Sequence, residues 1–432
     1  MTKKPYIVAP GWSYEKAIVA ASYGADEVYI GVPFTSLRMR QNKVRDFDVL
    51  KKSIDAIHSF GTKALLTMNI FPRNVDIKIF ESVVAQIADV WADAIIFSDL
   101  WTYKIIKKYL PDTPLHLSTQ TSTLNYAAVE FWAELWVKRI VCARELNIKE
   151  IKEIKEKVPE MELEVFVHGA MCMTYSGRCL LGEYCSWRDG NKWECSHVCR
   201  YKYKVRLEEE KRPWKFFQLE EDEEWSYIMS SKDLCTIHRL EEIIPYVDAI
   251  KIEGRSKSEF YVWAMVKAYK TARDAIIVGK TPEKHIIDLV NQIPHRPYRD
   301  GFLLNNMKKS VPDGEEGLPT TVTMDSAGPL FARNYFGLFS DETMEYQWKI
   351  YHAFTAKENI QPWDKLNFLS RDAQWELEIL WILSTWWEEI PKATCNMKKV
   401  FVYTDHDLKW WEVLYRSVNR ENIQESPATC GL

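Results

Sequence analysis

Short apolar runs alternate with amphipathic stretches along roughly the first two thirds of the chain. Typical runs are residues 63–70 (KALLTMNI), 94–98 (AIIFS) and 249–252 (AIKI). Uninterrupted apolar runs are typical of parallel strands buried on both faces, and the stretches between them have helical spacing. About eight strand–helix repeats predict an α/β fold, a TIM-like (β/α)8 barrel, with a doubly wound open sheet as the alternative.

The pattern changes after about residue 285, where Pro-rich polar sequence begins. Later runs such as 375–380 (WELEIL) and 399–404 (KVFVYT) alternate with period two, as half-buried strands do. The sequence therefore predicts four segments. They are a barrel domain over residues 1–285 with a Cys-rich insertion at 162–235, a linker or subdomain over 286–340, a small all-β, barrel-like C-terminal domain over 341–418, and a tail over 419–432.

Net charge and hydropathy limit which classes of protein this chain can belong to. The net charge is −4, so no global basic field indicates a nucleic-acid binder, and any such binding needs a local patch. The N-terminal residues are too polar for a signal peptide, and no apolar run approaches the length that spans a bilayer. We expect a cytoplasmic protein with no membrane contact, whose cysteines are metal ligands or buried thiols rather than disulfides.

Five of the nine cysteines lie within residues 162–203. Cys172 and Cys179 form a Cys-x6-Cys pair, Cys195 and Cys199 form a Cys-x3-Cys pair, and Cys185 lies between them. Four thiolates together select Zn2+ or an iron–sulfur centre. The spacing differs from the paired short knuckles of common structural zinc sites. A structural zinc and a set of unrelated buried thiols remain as alternatives.

Polar side chains follow the predicted strands, at positions that share the C-terminal rim of a barrel, where active sites are built. The candidate catalytic residues are His168, Glu145 and Glu253. The candidate substrate-binding residues, which include arginines suited to carboxylates and phosphates, are Asn69, His116, Arg144, Arg178, Arg200 and Arg255. Two alternatives stay open: His168 is a satisfied buried histidine, and Glu253 with Arg255 is a plain ion pair.

Several motifs occur in order along the chain: HLSTQTSTLN, HGAMCMTYSGRCLL, RDGNKWECSHVCRYKYKV, YIMSSKDLC and AIKIEGRSKSEF. In these motifs, and over nearly its whole length, the chain resembles peptidase family U32, the collagenase-like family. It is most similar to the long-form members that hydroxylate tRNA. The resemblance implies an enzyme that converts the wobble uridine to 5-hydroxyuridine without O2, with prephenate, a small carboxylate, as possible co-substrate and tRNA as partner.

The resemblance also implies a 4Fe-4S cluster. Its ligands would be Cys172, Cys179, Cys195 and Cys199, with Cys235 as reserve fourth ligand and Cys185 as a bystander. The alternatives within the family are a U32-type peptidase, a ribosomal RNA hydroxylase and a non-catalytic RNA-binding protein.

Tryptophan outnumbers glycine in this chain, with 18 residues against 16, although average usage would give about 30 glycines. Many of the tryptophans stand in turn-like sequence, where glycine is usual because it tolerates positive φ. We hypothesise that UGA codons read as glycine in the cell are written as tryptophan in this sequence. A divergent protein that tolerates Trp in loops is the alternative. The positions are Trp12, Trp91, Trp101, Trp136, Trp193, Trp214, Trp225, Trp363, Trp375 and Trp387.

Overall fold

The computed structural model describes residues 4–37, 42–172, 174–186, 188–191, 195, 198–200, 206–209, 212–218, 233–293, 295, 298–304, 333–369, 374–395, 397, 399–406, 408 and 412–417. The strands of the larger domain are β1 (Tyr6–Pro10), β2 (Glu27–Gly31), β3 (Lys63–Met68), β4 (Ala94–Phe97), β5 (Leu115–Leu117), β6 (Arg139–Val141), β7 (Glu162–Ala170), β8 (Arg206–Glu209), β9 (Arg212–Gln218), β10 (Asp233–Cys235), β11 (Ala249–Ile252) and β12 (Tyr298–Arg299). Its helices are α1 (Tyr14–Ser22), α2 (Phe47–Ser59), α3 (Ile77–Ile87), α4 (Leu100–Tyr109), α5 (Tyr126–Glu134), α6 (Ile148–Lys157), α7 (Leu181–Ser186), α8 (Glu259–Ile277), α9 (Lys284–Asp288) and α10 (Gly301–Leu304).

Eight parallel strands close into a barrel. β1 to β7 pair in chain order, and β11 closes the ring by pairing with both β1 and β7. Ala249 of β11 lies opposite Tyr6 on one side and Glu164 on the other. The predicted TIM-like barrel is confirmed, and the open-sheet alternative is wrong because no barrel strand keeps a free edge. β10 crosses the end of β7 in antiparallel pairing, and β12 extends this edge.

A buried ion network fills the end of the barrel where the strands begin. Nη2 of Arg139 donates to Oε1 of Glu27 at 3.0 Å, and its Nη1 donates to Oε2 of Glu164 at 3.1 Å. Nζ of Lys251 donates to the other oxygen of Glu164 at 2.6 Å. Burial alone would raise the pKa of Glu164, but the charges of Lys251 and Arg139 outweigh burial and lower it. Since this end lies opposite the catalytic rim of such barrels, we assign the network to stability.

The C-terminal domain is a closed six-stranded antiparallel barrel with its own apolar core. Its strands are β13 (Arg333–Tyr346), β14 (Lys349–Ala356), β15 (Lys365–Leu369), β16 (Gln374–Leu383), β17 (Val400–Thr404) and β18 (Val413–Ser417). The all-β class predicted for this region is confirmed, and β13 begins at Arg333, ahead of the predicted residue 341. Residues 305–332 of the predicted linker and the tail at 419–432 lie outside the described residues.

The ten tryptophans named above as possible glycines differ in backbone conformation, burial and secondary structure. Trp136, Trp363 and Trp387 have positive φ. Trp12 is fully buried, and its indole N–H has no hydrogen-bond partner among the described residues, whereas buried indoles usually find one. Trp91 is exposed beside β4. Trp101 is the second residue of α4, and Trp214 and Trp375 lie in β9 and β16, so the turn-like position expected for these three is wrong. Trp193 and Trp225 lie outside the described residues.

Candidate active site at the barrel rim

A cavity opens at the carboxyl ends of the barrel strands, beneath the Cys-rich segment. Side chains that follow β3, β5, β6, β7 and β11 line its walls. Eight of the residues predicted from the sequence line this one cavity: Asn69, Arg144, Cys172, Cys179, Cys195, Cys199, Glu253 and Arg255. The structure therefore brings together residues that are separated by up to 186 positions in the chain.

All four cysteines of the predicted ligand set face this cavity. Cys172 is exposed, and Cys179, Cys195 and Cys199 are half-buried. Within the described ranges, no three His, Cys, Asp or Glu side chains gather as closely as a single metal ion requires. The four cysteines thus share the lining of one cavity.

The two other cysteines considered for this site lie apart from the cavity. Cys185 is exposed on α7. Cys235 is buried on β10, where burial raises the pKa of its thiol to about 11, and it accepts a hydrogen bond from the Tyr269 hydroxyl at 3.9 Å. Neither cysteine is among the residues that line the cavity.

The loop that carries Cys172 and Cys179 is pinned to the barrel. The backbone N–H of Ser176 donates to Oε1 of Glu145 at 2.8 Å, and its hydroxyl lies 3.2 Å from Oε2 of the same carboxylate. Gly177 has φ +72° and packs so tightly that a Cβ there would stand 1.9 Å from the carbonyl oxygen of Gln120. Glu145, a candidate catalytic residue, is thus engaged by the loop and does not line the cavity.

Two arginines flank one carboxylate on the cavity wall. Nη2 of Arg144 lies 3.6 Å from Oε2 of Glu253, and Nε of Arg255 lies 3.9 Å from the same oxygen. The guanidinium of Arg144 packs over the ring of Phe166 at 3.9 Å. The Nε atoms of both arginines are buried without a hydrogen-bond partner among the described residues. The group carries one net positive charge in a largely desolvated wall.

The two candidate histidines are both buried away from the cavity. The ring of His168 lies between two tyrosine hydroxyls, with Nδ1 3.2 Å from Tyr269 and Nε2 3.4 Å from Tyr298. Burial lowers the pKa of His168 to about 3, so the imidazole is neutral. His116 points into the barrel, where burial, with Arg139 next, holds its pKa well below the ordinary value. The interpretation of His168 as a satisfied buried histidine fits this geometry better than an acid–base role.

Three candidate substrate-binding residues remain, Asn69, Arg178 and Arg200. Asn69 accepts from the backbone of Leu37 at 3.3 Å and donates to the hydroxyl of Ser118 at 3.1 Å, which ties two rim loops together beside the cavity. Arg178 is exposed and does not line the cavity. The side chain of Arg200 lies outside the described residues. Gln120 and Tyr175 line the cavity although they are not among the predicted site residues, and only their position after a strand or between two cysteines could have indicated them.

Comparison with known proteins places the chain among curated relatives. It is 34% identical over 352 residues to tRNA hydroxylation protein P of Escherichia coli, covering 73% of this chain and 78% of that one. It is 35% identical to tRNA hydroxylation protein P1 of Bacillus subtilis, covering 66% and 67%. It is also 31% identical to a collagenase of Porphyromonas gingivalis, covering 69% and 73%.

A solved U32 peptidase matches 58% of this chain and 93% of its own at 12% identity, with a TM-score of 0.39, too low to bear on the fold. In the part of the chain that the structure describes, no helix combines the length and apolarity needed to cross a bilayer. The family model of peptidase family U32 matches residues 12–312. This chain therefore belongs to peptidase family U32.

Proposed function

We propose that this protein is an iron–sulfur enzyme that hydroxylates the wobble uridine of tRNA to 5-hydroxyuridine, without O2 and with prephenate as co-substrate. The observation that carries the proposal is one rim cavity that is lined both by four cysteines and by a buried arginine pair. The names of the relatives from Escherichia coli and Bacillus subtilis support tRNA as the partner. A cytoplasmic location is part of the proposal, because that is where a tRNA substrate would be met.

The thiols supply the ligand set that a 4Fe-4S cluster takes. Cys172, Cys179, Cys195 and Cys199 all line one cavity, and four thiolates are the usual ligands of such a cluster. Four thiolates also bind a structural zinc, and the metal content of the purified protein distinguishes the two. When bound, the cluster would supply one-electron chemistry at the cavity.

The arginine pair supports a small carboxylate as the second ligand. Arg144 and Arg255 together carry two positive charges against the single charge of Glu253. A buried unbalanced cation is costly, so the wall gains stability when an anion enters. Guanidinium groups bind carboxylates with short, charge-assisted hydrogen bonds. The Nε–H groups, which make no hydrogen bond among the described residues, are the donors that prephenate carboxylates would engage.

The relative named collagenase keeps a peptidase as the second candidate. A hydrolase needs an activated nucleophile, which usually takes a general base with a pKa near neutrality. His168 does not meet that need, because its pKa is about 3 and both ring nitrogens face tyrosines.

The test begins with anaerobic purification, which should give a brown protein with about four irons per chain. Cys172→Ala, Cys179→Ala, Cys195→Ala and Cys199→Ala should each lose iron, whereas Cys185→Ala, the matched control on α7, should keep it. Mass spectrometry of tRNA nucleosides should show 5-hydroxyuridine lost in a deletion strain and restored by the wild-type gene. A colourless protein with one zinc, or cleavage of collagen by the metal-loaded protein with tRNA unchanged, would overturn the proposal.

A further inference from the structure

Gln120 stands on the cavity wall with an unused hydrogen-bonding group. Its Oε1 is buried and has no partner among the described residues. It lies on a short turn, Thr119–Thr121, directly after β5. The hydroxyls of the two neighbouring threonines donate to backbone carbonyls, that of Thr119 to Cys142 at 3.1 Å and that of Thr121 to Ser98 at 3.1 Å. The turn is fixed on both sides, and Gln120, between the two threonines, is one of the residues that line the cavity.

We infer that Gln120 reads the base, accepting the N3–H of the target uracil through Oε1 while its amide NH2 donates to a uracil carbonyl. This inference rests on the proposed function. A buried acceptor without a partner is unfavourable, which argues that a ligand satisfies it. The primary amide matches the donor–acceptor edge of an unstacked uracil. The same turn supports the cysteine loop through Gly177, so the base would be held beside the cluster cavity.

The test compares tRNA carrying uridine with tRNA carrying N3-methyluridine at the target position. Wild-type enzyme should prefer uridine by about tenfold or more, since the methylated base leaves Oε1 unpaired. Gln120→Ala should lower kcat/KM for uridine and bring the preference close to one, with iron content unchanged. Gln86→Ala, a control at an exposed glutamine on α3, should behave as wild type. An unchanged preference in Gln120→Ala overturns this inference alone, whereas a wild-type enzyme that hydroxylates no tRNA overturns the proposed function with it.

Independently of Gln120, several tryptophans have a backbone conformation that favours glycine. Seven non-glycine residues in the described ranges have positive φ, and four of them are tryptophans: Trp136, Trp348, Trp363 and Trp387. A bulky residue with positive φ is a genuine outlier. These residues are 85%, 95%, 65% and 56% exposed, respectively, so little burial is available to offset the strain.

Trp136 occupies a glycine position at the end of a helix. After α5, its N–H donates to the carbonyl of Ala133 at 2.9 Å, and that of Val137 donates to Trp132 at 3.1 Å. This bonding pattern is the Schellman motif, whose left-handed residue is usually glycine. α1, α2 and α8 end with the same pair of bonds, and there the left-handed residue is Gly24, Gly61 and Gly279.

The other three tryptophans occupy glycine positions in turns. Gln347 and Trp348 join β13 to β14 as a two-residue hairpin with φ of 48° and 62°, the type I′ turn for which Asn-Gly is preferred. Trp363 follows Pro362 with φ 73° in a turn closed by Asp364 N–H on Gln361, the type II turn that places glycine after proline. Trp387 closes a turn on Ser384 with φ 69°, the position where a type I turn favours glycine.

We propose that the cellular protein carries glycine at these four positions, which are read from UGA codons. Trp348 is not among the ten tryptophans selected from the sequence, and it is added here because its φ is positive. The test is peptide mass spectrometry of the protein from its native cells together with inspection of its codons. Glycine masses and UGA codons at all four positions are expected, and UGG codons or tryptophan masses would overturn the proposal. A recombinant chain with the four glycines should also melt at a higher temperature than the chain with four tryptophans. Trp263→Gly, a control at a buried position in α8, should melt lower.

Discussion

Gly177 offers a sharp test of how the cysteine loop is held. Alanine at this position meets two penalties, a left-handed backbone at φ +72° and a Cβ only 1.9 Å from the carbonyl oxygen of Gln120. Ordinary contact begins at 3.4 Å, so the loop must move by about 1.5 Å. Cys179 lies two residues further on and would move with it. A misplacement of about 1 Å is enough to cost about 100-fold in a catalytic site.

Gly61 supplies a matched control, because its φ is +71° and a Cβ at this position would have no atom within 4 Å. Gly61→Ala should lower the free energy of unfolding by about 1 kcal/mol through backbone strain alone and keep the wild-type iron content. Gly177→Ala should lose most of its iron and its tRNA hydroxylation. Iron and sulfide per chain after anaerobic purification, with chemical denaturation of both variants, separate the two effects. If Gly177→Ala binds iron as Gly61→Ala does, the loop is not held in the way we describe.

Three further predictions concern buried ionisable side chains. Arg139→Met should lower the free energy of unfolding by about 3–5 kcal/mol, because it leaves Glu27 and Glu164 buried without their partner, as measured by denaturant titration. A loss no larger than that of Lys108→Met, which breaks the exposed pair with Glu81, would contradict this. Arg255→Met should raise the KM for the small carboxylate about tenfold or more with iron retained, while Arg239→Met, at an arginine outside the cavity, should leave it unchanged. The free energy of unfolding should fall as the pH drops from about 6.5 toward 3, because His168 binds a proton in the unfolded chain but, with a pKa of about 3, stays neutral in the folded protein. His168→Asn should flatten that part of the pH profile. An unaltered slope would contradict the burial of a neutral ring.

The four left-handed tryptophans matter for the energy of the fold. A non-glycine residue in this region costs about 1–2 kcal/mol. Four such sites amount to about 4–8 kcal/mol, against a typical total stability of about 5–15 kcal/mol. Glycine at the same positions removes that strain, which is why the recombinant comparison is sensitive.

The sequence alone determined the barrel repeat, the all-β class of the C-terminal domain and the clustering of the cysteines. Each of these depends on local pattern: apolar runs record burial on both faces of a parallel sheet, and Cys-x6-Cys with Cys-x3-Cys brings soft ligands close along the chain. The excess of tryptophan over glycine was likewise visible in composition.

Only the tertiary structure decided what the polar residues do. His168 and Arg144 both follow apolar runs, yet one is enclosed by tyrosines from α8 and β12 and the other faces the cavity. Glu145 is engaged by a loop 31 residues away. A side chain at a strand end has two faces to choose from, and contacts from distant segments, which local pattern does not record, set that choice.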